Sequence, residues 1–114
     1  MKIETRNIYD VLVVDMAGQL NTSTSGDASD QMVKIVQGDS KQIVLNLDGL
    51  EYVSSAGLRV ILLSAKLLQA GRGELKICHA NGIVKDVLET SGFNSLLHIY
   101  DTEKDAVAAF SASS

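Results

Sequence analysis

The chain has no proline and no tryptophan, a single cysteine and only five phenylalanine or tyrosine residues. Each scarcity removes a class of protein. One cysteine cannot form an internal disulfide, and Cys78, within the apolar run Leu75-Lys76-Ile77-Cys78, reads as an ordinary buried thiol. So few aromatics leave no stacking platform for single-stranded nucleic acid. Without proline no turn depends on a fixed φ angle. The formal charge is −4, and the ten lysines and arginines are scattered, so the basic stripe that follows a phosphate backbone is missing and direct nucleic-acid binding is not expected. No apolar run approaches the roughly 20 residues that span a bilayer, so no membrane insertion is expected. The opening Met1-Lys2-Ile3-Glu4-Thr5-Arg6 does not read as a secretory signal, which makes the cytoplasm the expected location.

What remains is the composition of one soluble domain, 46% hydrophobic and 21% charged over 114 residues. The order of elements can be read from periodicity. Lys2 to Ile8 and Val11 to Met16 alternate as strands and read as a hairpin, with Gly18-Gln19-Leu20-Asn21 ending the second. The polar stretch Thr22-Ser23-Thr24-Ser25-Gly26-Asp27 offers several N-caps for a helix whose apolar face is Ala28, Met32, Ile35 and Val36, broken at Gly38-Asp39-Ser40. Gln42 to Leu47 is apolar at nearly every residue, as in a strand buried on both faces. A loop, Asp48 to Val53, leads into a helix with the face Leu58, Ile61, Leu62, Ala65 and Leu68, stopped by Gly71-Arg72-Gly73. Leu75 to His79 reads as a strand. Asn81 caps a short helix with the face Ile83, Val84, Val87 and Leu88, stopped at Ser91-Gly92. Leu96 to Tyr100 is a last strand, and Thr102 caps a terminal helix through Phe110, followed by a frayed tail, Ser111 to Ser114. The alternation predicts an α/β fold: one domain over residues 1–114, with a mixed sheet of about five strands opening on a β-hairpin, and about four helices.

Enzyme chemistry finds little to work with. His79, His98 and Cys78 are too few and too dispersed for a metal site. A nucleophile elbow Gly-x-Ser-x-Gly fails because Val53 stands at its first glycine, and neither a Gly-x-x-x-x-Gly-Lys-Ser/Thr nor a Gly-x-Gly-x-x-Gly nucleotide cradle occurs. Asp48 and Glu51 read as solvated loop carboxylates rather than as an acid and base pair. No catalytic residue, metal or cofactor is assigned, and the chain is not expected to be an enzyme.

The informative segment is Tyr52-Val53-Ser54-Ser55-Ala56-Gly57-Leu58-Arg59, where a strand end passes into the strongest helix. In an open α/β sheet, sites are built outside the carboxyl ends of the strands. A serine at a helix start caps a free amide, a purely structural role worth about 1 kcal/mol. Here two serines stand where one suffices. Gly57, which costs about 1 kcal/mol relative to alanine inside a helix, indicates a place where side-chain bulk is unwelcome. Capping and an exposed docking surface are both open on these residues alone.

The run Val44 to Leu58 resembles the signature of the STAS domain (sulfate transporter and anti-sigma factor antagonist), particularly in its stand-alone bacterial anti-anti-sigma factors. Gly18-Gln19-Leu20-Asn21 is similar to the family's Gly-x-Leu-Asp corner, and Val87-Leu88-Glu89-Thr90-Ser91-Gly92-Phe93 to its later helix-to-loop turn. The resemblance implies a partner switch. The unmodified protein binds an anti-sigma factor that is also a serine kinase, phosphorylation releases that partner, and a metal-dependent serine phosphatase reverses the change. Two places before the signature glycine, Ser55 matches the phosphorylated serine, and Asn21, Asp48, Ser54, Gly57 and Leu58 match the surface around it. Ser54 stands where relatives often carry aspartate, which makes it a possible second acceptor, and Asn21 likewise replaces an aspartate. The alternatives are an interaction module in a complex without a sigma factor, serving lipid transport, secretion or a stress scaffold, and a small nucleotide-binding or phosphotransfer protein.

Overall fold

The computed structural model describes residues 1–92 and 96–112. Phe93, in the expected helix-to-loop turn, and the tail residues Ser113 and Ser114 lie outside them. The chain forms β1 (Lys2–Ile8), β2 (Val11–Leu20), α1 (Thr22–Val36), β3 (Gln42–Val53), α2 (Ser55–Ala70), β4 (Glu74–Cys78), α3 (Gly82–Thr90), β5 (His98–Tyr100) and α4 (Glu103–Ala112). The five strands lie side by side in sequence order. β1 is antiparallel to β2 and each later pair is parallel, so the sheet is mixed and opens on a hairpin, as the sequence predicts.

That order decides where the helices go. A right-handed crossover between parallel neighbours, always stepping the same way across the sheet, puts every connecting helix on the same face. Accordingly Met32 of α1, Ile61 and Leu68 of α2 and Leu88 of α3 form one core with Val14, Ile43, Leu45 and Ile77. α4 follows the last strand and covers the opposite face, where Ala106 and Phe110 pack on Val13, Val44 and Cys78. β3 is therefore buried on both sides, the reason for its unbroken apolar run. Burial pushes the Cys78 thiol up to about 12, which disfavours the thiolate.

Several boundaries differ from the sequence reading, each for a local reason. Asp48 to Val53 is not a loop: it continues β3, with Gly49 paired to Ala17 and Val53 to Leu20. The alternation was hidden because the register slips between Asp15 and Ala17 and again after Gly18, whose φ of +100° suits glycine. α1 begins at Thr22, so the polar stretch from Thr22 to Asp27 is its first turns rather than its preface. At the end of α2 the left-handed residue is Arg72, with φ +68°, and neither of its flanking glycines takes that conformation. Ile83, expected in the core, is 61% exposed, while Val84 and Leu88 are buried. Asn81 occupies the N-cap position of α3 without a side-chain cap bond, and the last strand is shorter than expected, His98 to Tyr100.

Candidate functional site

β2 and β3 run on past their other neighbours and end together, with Leu20 opposite Val53 and the Ser54 amide donating to the Leu20 carbonyl at 2.9 Å. Each strand then turns directly into a helix. Two helix starts are thereby set side by side at the carboxyl edge of the sheet, that of α1 capped by Asn21 and that of α2 by Ser54.

The first start is closed. Asn21 Oδ1 accepts from the amides of Ser23 at 3.0 Å and Thr24 at 3.2 Å and from the Ser23 hydroxyl at 2.8 Å, while the Asn21 amide donates to Thr24 Oγ1 at 2.9 Å. This is a reciprocal capping box in which threonine takes the usual place of glutamate or glutamine. An amide oxygen performs it as well as a carboxylate would, which accounts for asparagine at this corner.

The second start divides its work between two serines. Ser54 takes the N-cap geometry, and its Oγ accepts the Gly57 amide at 3.1 Å. Ser55 is the first helical residue and is exposed. Among the described residues its hydroxyl has no hydrogen-bond partner. Neither serine can exchange roles, because only the residue before the helix has the extended backbone that aims its oxygen back at the third amide.

Gly57 does not face outward. It is buried, and a Cβ built on it would lie 2.4 Å from the Leu20 carbonyl oxygen and 2.7 Å from Leu20 Cγ. The absent side chain is used for packing the helix start against the β2 end, so Gly57 holds the surface in place from beneath. Asp48 is also elsewhere. Val53 is five steps further along the strand, roughly 16 Å at about 3.2 Å each. Its amide donates to Asn46 Oδ1 at 2.9 Å near the register slip. Of the residues expected around Ser55, the structure brings Asn21, Ser54 and Leu58 to the same edge, buries Gly57 and leaves Asp48 upstream.

It also adds Arg59, Leu63 and Lys66, to which the sequence reading gave no role. Ser55, Leu58, Arg59, Leu62, Leu63 and Lys66 line an open groove of about 420 Å³ along the outer side of α2. Their spacing is helical, and the signal was present: Leu63 and Leu67 fall outside the core face and are 41% and 37% exposed. Tyr52, 43% exposed, closes the strand end just before the serine pair.

On the opposite face a polar cluster fixes α4. Arg6 donates to both oxygens of Asp15, at 2.7 and 3.0 Å, and to both of Glu103. Glu103 also accepts from Asn46 Nδ2 at 2.9 Å. The guanidinium beside it holds the Glu103 carboxyl below the usual range, against the opposing effect of burial. Lys76 is 4% exposed, 2.6 Å from Glu74 and over the rings of Tyr100 and Phe110. No cluster of three or more potential metal ligands occurs among the described residues, and no helix is long and apolar enough to cross a membrane.

Residues 2–106 match the family model of the STAS domain. The chain belongs to the STAS-domain family. It is 36% identical over 110 residues to BtrV of Bordetella bronchiseptica, covering 96% of this chain and 95% of that one. With the anti-sigma F factor antagonist of Paenibacillus polymyxa it shares 35% identity over 108 residues, covering 94% and 92%. Among solved structures it is similar to the anti-sigma factor antagonist SpoIIAA in its unphosphorylated form, with a TM-score of 0.79 at 18% identity and 97% of each chain covered. The phosphorylated form of SpoIIAA from Bacillus gives a TM-score of 0.72 over 96% of this chain and 99% of that one, again at 18% identity. The STAS fold is thus common to this chain and its structural neighbours, and both sequence relatives and neighbours are named anti-sigma factor antagonists.

Proposed function

We propose that this STAS protein is an anti-sigma factor antagonist switched by phosphorylation of Ser55. Unmodified, it binds an anti-sigma factor that is also a serine kinase and so frees the sigma factor; phosphorylated, it lets that partner go, and a metal-dependent serine phosphatase restores it. The modification moves the γ-phosphoryl group of a nucleoside triphosphate onto Ser55 Oγ. An O–P bond forms, the hydroxyl proton leaves and the nucleoside diphosphate departs.

The observation that carries the reading is the division of labour at the start of α2. Ser54 is occupied as the cap, whereas Ser55 is exposed, first in the helix and without a hydrogen-bond partner among the described residues. A kinase needs an accessible hydroxyl, and the fold needs a cap. Ser55 supplies the first without loss of the second, which favours Ser55 over Ser54 as acceptor. A phosphate of about −1.5 to −2 charges there meets the positive end of the helix, whose first turn contains no acidic residue. Modification is therefore compatible with the fold, and its cost falls on a partner that would have to desolvate the dianion. The existence of SpoIIAA in both forms gives the same reading a parallel on this fold.

The test is affinity capture from the native cell with wild-type protein and with Ser55→Asp, followed by phosphosite mapping with the captured kinase. An anti-sigma factor retained by wild type, lost by Ser55→Asp and able to phosphorylate Ser55 is the expected result. Normal labelling of Ser55→Ala would overturn the assignment. Retention of a complex without any sigma-factor regulator would favour a STAS module of another pathway.

A further inference from the structure

We propose that Arg59 is the residue through which phosphate on Ser55 controls docking: it holds a carboxylate of the partner at the rim of the α2 groove until the phosphate takes it over. This rests on the reading of Ser55 as the acceptor and adds the means by which modification is read.

Ser55 and Arg59 are four residues apart on α2, the spacing that places side chains about 5–6 Å apart on one helix face, and both line the same groove. Arg59 is exposed, and among the described residues it makes no hydrogen bond or ion pair. A free guanidinium one turn from a hydroxyl destined to become a dianion forms the forked, charge-assisted contact that arginine makes best.

The groove also describes its occupant. Leu58, Leu62 and Leu63 give it an apolar floor, Arg59 and Lys66 a basic rim, and no acidic residue lines it. On a chain with a net charge of −4 this is a local reversal of sign. The complementary partner is an amphipathic helical segment of the anti-sigma factor that lays apolar side chains along the leucines and offers a carboxylate to Arg59. Phosphate and carboxylate then compete for one guanidinium. The phosphate has the advantage of being attached to the same helix, so the partner loses its anchor and meets the remaining negative charge of the phosphate together.

The experiment installs phosphoserine at position 55 during translation, so that no kinase is required, in wild-type and Arg59→Gln backgrounds. Phosphorus NMR titration should give a second phosphate pKa lower by about 0.5 unit with Arg59 present. Without phosphate, Arg59→Gln should bind the captured anti-sigma factor about 10-fold more weakly and with a shallower salt dependence, at unchanged thermal stability. Arg59→Lys, which keeps the charge without the fork, should recover only part of both effects. Equal phosphate pKa values in the two backgrounds would overturn the proposal even if the kinase labels Ser55. A clear shift combined with kinase labelling elsewhere would instead overturn the acceptor reading and leave the pairing intact. If the groove holds a second copy of the chain, sedimentation of the isolated protein gives a dimer that Leu63→Ser abolishes, and the proposal also falls.

Discussion

α4 begins with every convenience a helix start can have. Thr102 Oγ1 accepts the Asp105 amide at 3.1 Å, His79 Nε2 accepts that of Glu103 at 3.2 Å, and Glu103 and Asp105 place carboxylates in the first turn. α2 begins with one cap, no carboxylate and a serine hydroxyl that bonds to nothing among the described residues. Their arginines differ in the same way: Arg6 is shared by two carboxylates beside α4, whereas Arg59 of α2 has no carboxylate partner among the described residues. The saturated start pairs Glu103 with Arg6 and holds a terminal helix to the sheet. The unsaturated one leaves positive potential and a free donor for a group that arrives later.

If α2 is open at its surface, it must be fixed from beneath, and Gly57 is the test of that. Replacing an exposed helical glycine with alanine ordinarily stabilises by about 0.5–1 kcal/mol. At Gly57 the new Cβ would stand 2.4 Å from a backbone oxygen of β2 that cannot move without disturbing the β2–β3 pairing. We expect Gly57→Ala to lose about 3 kcal/mol or more in urea unfolding, with loss of partner binding following from the displaced helix. Wild-type stability in this variant would mean that the start of α2 is not seated on Leu20.

The saturated start of α4 is sharpened by acid. A carboxyl whose folded pKa lies below its unfolded value binds fewer protons when folded, so its contribution is complete above about pH 4.3 and is lost as the pH falls through the lower folded value. The groups facing Glu103 are Arg6, Asn46 and His79, with Asp15 on the same guanidinium. Glu103→Gln should cost about 1 kcal/mol at pH 7, a modest figure because Arg6 is substantially exposed to solvent. The variant should approach wild type as the pH drops below 4. Urea midpoints at pH 7, 5 and 3.5 measure this, and a gap that persists unchanged at the lowest pH would remove the carboxylate from the account.

Comparing these two starts also explains what could be read in the sequence. Element order, the hairpin and the doubly buried β3 followed from period and apolar runs, because burial in this sheet is set by position along the chain. The extension of β3 through Asp48 to Val53 was hidden by register slips that break the alternation while keeping the pairing. At the site, the serine pair and Gly57 were visible as residues that exceed what a helix start requires, but which serine caps is a matter of one backbone angle. The groove was missed since Leu58 and Leu62 read as part of the core face and Leu63, outside that face, was given no role; packing shows that they line one surface. The polar cluster joins residues 97 positions apart, Arg6 and Glu103, and local pattern carries no trace of it.

The smallest effects separate the two serines most cleanly. Ser54→Ala removes the oxygen that accepts the Gly57 amide, and losing an N-cap of this kind costs about 1 kcal/mol. Ser55→Ala removes a hydroxyl without partners among the described residues and replaces it with the best helix former, so its stability should stay within about 0.5 kcal/mol of wild type. Phosphorylation by the captured kinase should follow the opposite order: retained in Ser54→Ala and abolished in Ser55→Ala. Thermal unfolding and phosphate incorporation on the same two proteins thus give a crossed result that neither a purely capping pair nor a purely phosphorylated pair can produce. Should Ser54→Ala lose the label while keeping its stability, the roles are exchanged, and the extended backbone at Ser54 would have to serve the kinase rather than the helix.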